Sequence, residues 1–144
     1  MGNVNIGSQI VHWRYRQPAV TEDVNQWFFN IFEPGVFHGG DLQKIDNDTI
    51  RIFPVAVLIE TPTQQLIKVQ TTEEFLLNVS PINNIITCSF VWQNEIENYM
   101  DFNAKPESSI TPTEIILGEC IFDSSDILTH IDYLKKKLGT LKID

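Results

Sequence analysis

"FEPGVFHGGDLQKIDNDTIRIFPV", residues Phe32 to Val55, decides how this chain is read. Val36 and Phe37 open an extended run, and Gly39, Gly40 and Asp41 supply a turn or bulge. Asp46-Asn47-Asp48 is a tight-turn signal between Ile45 and Ile50. Ile50 and Ile52 alternate, and the nearly unbroken apolar run Phe53 to Ile59 predicts strands buried on one or both faces. His38 and Asp41 resemble a base with its orienting carboxylate. Two glycines separate them and no nucleophile accompanies them, so the cluster reads as a turn.

Strand character continues on the C-terminal side. Leu66, Ile67 and Val69 form one strand, and Phe75, Leu76, Leu77 and Val79 form another. "IITCSFVW" places Ile86, Cys88, Phe90 and Trp92 on one face and Ile85, Thr87, Ser89 and Val91 on the other. Residues Gln93 to Pro112 are polar, hold two prolines and read as a long exposed connection. "TEIILGECIF" restores strand character.

Both flanks predict helices. In "TEDVNQWFFNIFEPG", Thr21 is a suitable N-cap, Glu22 and Asp23 suit the positive end of a helix, and Val24, Trp27, Phe28 and Ile31 form one stripe. Phe29 and Phe32 widen that stripe, which fits a subunit contact. In "SSDILTHIDYLKKKLG", a serine cap, Asp126, three lysines and Gly139 mark the two ends of a helix. Its Ile127, Ile131, Leu134 and Leu138 recur at four, three and four residues, which suits either packing on the sheet or a short oligomer seam. The first twenty residues read as an extended arm or edge strand. Trp13 and Tyr15 alternate there with Arg14 and Arg16, for packing at home or docking on a neighbouring subunit.

The expected architecture is therefore mainly β: a small antiparallel sandwich or barrel-like sheet with an N-terminal and a C-terminal helix. Residues 1–20 form an arm, and residues 21–144 form one domain. A length of 144 residues suits one core. Nineteen acidic against ten basic residues give a net charge of −9, which disfavours a phosphate-backbone partner. No apolar run is long enough to span a bilayer, and no signal peptide is expected. Cys88 and Cys120 each sit in an apolar run and read as buried thiols, with a disulfide between them left open.

Candidate chemistry is thin. His130 and Asp126 read as structural, and His12 has no evident partner. Asp46 and Asp48 lack the glycine and bidentate glutamate of a calcium loop. Glu73-Glu74 and Glu95 with Glu97 read as solvated faces. No nucleotide-binding glycine loop or nucleophile elbow occurs, so no catalytic residue, cofactor or metal is expected.

The order of segments carries a resemblance. "PGVFHGGDLQKI", then "TIRIFPVAVLI", then "QQLIKVQTTEEFLLNVSP" resembles the amino-terminal module of tail fibre and baseplate structural proteins of tailed bacteriophages. Gly35-Val36, Gly39 or Gly40, Leu42, Ile50, Ile52, Pro54 and Ala56 fill its first positions. Ile115 to Leu117, Gly118 and Cys120 to Phe122 resemble its closing strand. The likeness covers about residues 32 to 132 and rests on strand order and turn glycines. Val55 stands where a glycine usually follows the proline, so a continuous strand is expected there. Fibre proteins continue past the point where this sequence reaches Asp144, so an adaptor or attachment subunit is the expectation rather than a fibre tip. The resemblance implies a non-enzymatic virion protein, made in the host cytoplasm, that joins other tail or baseplate proteins as a trimer or ring. Its expected contacts are Trp13, Tyr15, Trp27, Phe28, Ile31, Ile127, Ile131, Leu134 and Leu138. The alternative is a carbohydrate- or protein-binding module using exposed aromatics such as Trp92 and Tyr99.

Overall fold

A computed structural model describes residues 5–6, 9–10, 30–60, 66–91 and 99–142. Within the arm, β1 (Asn5–Ile6) and β2 (Gln9–Ile10) pair as a minimal antiparallel hairpin. β3 (Phe32–Glu33), β4 (Gly35–Gly39) and β5 (Leu42–Lys44) then run outward, and β6 (Thr49–Ile52) and β7 (Val55–Glu60) run back. β4 pairs with β7 and β5 with β6, so residues 35–60 form one long hairpin. Asp46, Asn47 and Asp48 make its tip. The Asp46 carboxylate accepts the Asp48 N–H at 3.1 Å, and Ile45 N–H reaches Thr49 O at 2.9 Å.

The hairpin bends halfway, at the glycines. Gly39 and Gly40 both have left-handed backbone, with φ of 75° and 80°. Across the bend Gly40 N–H donates to Pro54 O at 3.0 Å and Phe53 N–H to Asp41 O at 2.9 Å, so the ladder survives the corner. Pro54 sits where its missing N–H is harmless and its carbonyl is used. A third run, β8 (Leu66–Gln70) and β9 (Phe75–Asn78), follows the same bend, with β8 on β7 and β9 on β6. Thr71 fastens its corner, donating its N–H to Val55 O and accepting Val55 N–H on its hydroxyl.

Facing this bent meander is a four-stranded antiparallel sheet. It contains β10 (Ile85–Val91), β11 (Tyr99–Lys105), β12 (Ile115–Phe122) and β13 (Leu128–Asp132), in the order β11-β10-β12-β13. β13 lies beside β5 and β9 beside β11, so the two sheets close on each other at both margins. Ile50, Ile52, Val55, Val57, Ile86, Cys88, Leu117 and Leu128 fill the space between. Ala56 and Leu58, on the opposite face of β7, are buried too, which matches the continuous apolar run in the sequence. A last strand, β14 (Thr140–Leu141), pairs with β3.

The mainly β architecture matches expectation, but the predicted C-terminal helix does not stand. Residues 124–139 form a turn, β13 and an extended segment instead of a helix. The Asp123 carboxylate accepts the N–H groups of Ser125 (2.8 Å) and Ile127 (3.0 Å), and Asp126 takes a φ of 62°. That turn sends the chain back along β12, where Cys120 faces Ile131 and Ile121 faces His130. Long-range pairing with β12 thus overrides a helical apolar period. Asp132 then ends the strand by accepting Leu134 N–H at 2.8 Å. The predicted N-terminal helix lies outside the described residues as far as residue 29. Asn30 and Ile31 have helical backbone, but Phe32 already pairs with Leu141 in β3. Apart from Asn30 and Ile31, the helical backbone among the described residues is a single 3-10 turn, Glu107–Ser109. The polar stretch read as a loop from Gln93 also requires correction, because Tyr99–Lys105 runs the full length of β10 as β11.

Candidate functional site

The segment after β13, residues 133–142, is tied down by its backbone. Lys137 N–H donates to Ile116 O of β12 at 2.9 Å, while Lys137 O accepts Val36 N–H of β4 at 2.8 Å. Gly139 N–H reaches Val36 O at 2.9 Å, and Lys142 N–H reaches Ile31 O at 2.7 Å. The segment is therefore a strap that joins the two sheets and covers the outer edge of β4. Its side chains go the other way. Leu134 is 90% exposed, Leu138 56% and Leu141 60%, and Phe37 on the neighbouring β4 is 55% exposed. These exposed apolar side chains make the strap a candidate interaction surface.

Its basic residues are placed in different ways. Lys135 bridges Glu107 at 3.3 Å and Glu119 at 3.7 Å, and those carboxylates, Glu107 foremost, raise its pKa. The Lys136 ammonium lies 5.6 Å from the Tyr133 ring centre. Tyr133 pins the start of the strap, its hydroxyl donating to Leu42 O and accepting Leu42 N–H, both at 3.0 Å. Tyr133→Phe leaves both Leu42 groups without that partner, so it is expected to cost about 1 kcal/mol in urea unfolding. An unchanged midpoint would show that water replaces the hydroxyl.

The predicted contact residues divide. Trp13, Tyr15, Trp27 and Phe28 lie outside the described residues, as does Trp92; Tyr99 is in β11, but its side chain also lies outside them. Ile31 is half-buried and its carbonyl receives the strap's end. Ile127 is half-buried in the turn before β13, and Ile131 packs against the core from β13. Leu134 and Leu138 are on the strap and face solvent. The four residues therefore do not form a helical seam, and only Leu134 and Leu138 remain available for contacts. Leu141 and Phe37 join them, although their periodicity gave no sign of it.

The chemical candidates resolve into structure. His38 is exposed on β4 with its ring 5.8 Å from that of Phe37. His130 is exposed beside the Thr129 hydroxyl at 3.0 Å. Glu74 pairs with Arg51 at 3.3 Å. Glu95, Glu97 and His12 lie outside the described residues. Cys88 and Cys120 are free thiols, and burial pushes each up to about 12, with Glu114 and Glu119 adding to it respectively. Both are protonated and act as small core residues. Among the described residues no three His, Cys, Asp or Glu side chains gather as metal donors.

No family model, curated protein or solved structure matches this chain.

One polar cluster was missed in the sequence. Glu114 is 6% exposed, and its carboxylate accepts Lys105 Nζ (2.8 Å), Thr111 N–H (3.0 Å), Thr111 Oγ1 (3.1 Å) and Thr87 Oγ1 (2.7 Å). Its local signal was the Thr-x-x-Glu spacing of Thr111 and Glu114, the pattern in which a glutamate reaches back to a backbone N–H. Both its oxygens accept from within the chain, three bonds on Oε1 and one on Oε2, so it is a fastening of the sheet.

Proposed function

We propose that this chain is a non-enzymatic structural subunit of a phage tail or baseplate, in a fibre-attachment or adaptor role, that works by protein–protein assembly. The observation that carries the assembly part is the strap. Its backbone is consumed within the chain while Leu134, Leu138 and Leu141 are left in solvent. A protein that spends ten residues presenting leucines outward gains nothing for its own core from them, and a partner surface would gain the area. The strand order and turn glycines of residues 32–132 supply the tail or baseplate part, as a resemblance. Other tail proteins and further copies of the chain, in a trimer or ring, are the partners this reading calls for, with the virion tail as the location.

The test is where the protein goes. Antibody to this chain, applied to particles from a phage-producing culture, should decorate the tail end in negative-stain images. Label confined to the soluble cell fraction, with clean particles, would overturn the reading.

A further inference from the structure

We infer that copies of this chain join head to tail, the strap of one docking on the outer face of the β5-β6-β9 sheet of the next. The inference rests on the assembly reading and adds the two surfaces that meet. Four of the chain's ten basic residues lie in the strap, which contains no acidic residue, on a molecule of net charge −9. Lys135 is bridged to Glu107 and Glu119, so Lys136 and Lys137 carry the basic charge of this leucine-bearing ridge.

A surface of opposite character lies on the bent meander. Register places Leu76, Arg51 and Gln43 in one row across β9, β6 and β5, on the face turned away from buried Ile50 and Ile52. Leu76 is 65% exposed there, and Ile45 at the tip of the hairpin is 41% exposed. Arg51 is already engaged by Glu74 at 3.3 Å and Gln43 at 3.2 Å. Exposed Glu73, Asp46 and Asp48 then outnumber exposed Lys44 on this sheet and its turns, which leaves it acidic.

Leucines can therefore meet at the centre and lysines can meet carboxylates at the rim, the ordinary arrangement of a protein interface. Pairing either surface with itself would set like charges together. The contact is for that reason between unlike surfaces, and such contacts propagate into rings or open filaments. The strap cannot fold onto its own meander face, because its backbone is bonded to β4, β12 and β3.

Two charge-reversal variants of the full chain test this: Lys136→Glu with Lys137→Glu, and Glu73→Lys with Glu74→Lys. Sedimentation velocity at roughly 100 μM should show the parent chain associating, with each variant weakened by about tenfold or more. An equimolar mixture should recover association, since every reversed strap then finds a reversed face. Leu134→Glu, at a 90% exposed position, should also dissociate the assembly with an unchanged thermal midpoint and circular dichroism. A parent chain that associates while the mixture of variants stays apart would overturn this docking and leave assembly through another surface standing. A monomeric parent that still labels the phage tail would overturn it too, without touching the proposed function. Binding of the strap to phosphatidylserine vesicles in place of self-association would assign the basic ridge to a membrane and overturn the inference.

Discussion

Gly39→Val is expected to destabilise the fold by about 4 kcal/mol, a large part of the 5–15 kcal/mol typical of a domain. Two effects combine. Gly39 has a φ of 75°, a conformation that a β-branched residue adopts only under strain. A Cβ at this position would also collide with Pro54 O, with Pro54 C and Val55 Cα both 3.3 Å away. Those neighbours are backbone and cannot rotate aside. Relief would require the two runs of the hairpin to separate, which would break the Gly40 to Pro54 hydrogen bond that carries the ladder through the corner. Gly40→Ala provides the comparison. Its φ is 80°, but its Cβ would meet the Val55 Cγ2 methyl at 2.8 Å, and the expected cost is about 2 kcal/mol. Chemical denaturation of the three proteins decides the matter. A Gly39→Val protein within 1 kcal/mol of the parent would mean that the corner does not need the backbone described for it.

The corner shows what was legible in the sequence. Ile50 and Ile52 alternate, the Asp46 to Asp48 tip is built from its own side chains, and the two glycines stand where the strand bends. Each is decided within a few residues, so local pattern reports it. Residues 124–139 were misread for the opposite reason. Ile127, Ile131, Leu134 and Leu138 fit a helical period, but Leu128, His130, Ile131 and Asp132 take partners on β12. The choice between helix and strand belongs to a partner strand, which the segment itself does not encode. β11 was missed although Met100, Phe102 and Ala104 alternate and pack against the core, because Asp101 and Asn103 between them gave the stretch a polar look. The strap was the least legible part. Its leucines are informative only once its backbone is seen to be committed elsewhere.

Replacing Glu114 is expected to have the second large effect, and its pH dependence separates charge from packing. Burial by itself would raise the Glu114 pKa, but the hydrogen bonds from Lys105, Thr111 and Thr87 outweigh it and bring the value down from 4.5 to about 2. A carboxylate with a folded-state pKa below its unfolded value contributes stability that is full above pH 4.5 and lost as pH falls toward 2. At about 1.4 kcal/mol per unit, the contribution is about 3 kcal/mol near neutral pH. The donors come from two adjoining strands, β10 and β11, and from Thr111 in the loop that leads into β12. Thr87 is in β10, Lys105 closes β11, and Glu114 precedes β12, so the carboxylate holds together the margin of the sheet. Glu114→Gln keeps the shape, loses the charge and turns an amide N–H₂ toward donors, so it should cost about 3 kcal/mol near pH 7. The difference from the parent should shrink steadily below pH 4.5 and nearly vanish by pH 2, because the parent's own carboxyl is then becoming protonated. Lys105→Met should cost less, since the lysine side chain is 30% exposed and the threonine donors remain. Urea midpoints of the parent and both variants across that acid range provide the measurement. A Glu114→Gln deficit that stays constant from neutral to acid pH would show that the residue fills space at the sheet margin and that its charge does not hold the strands.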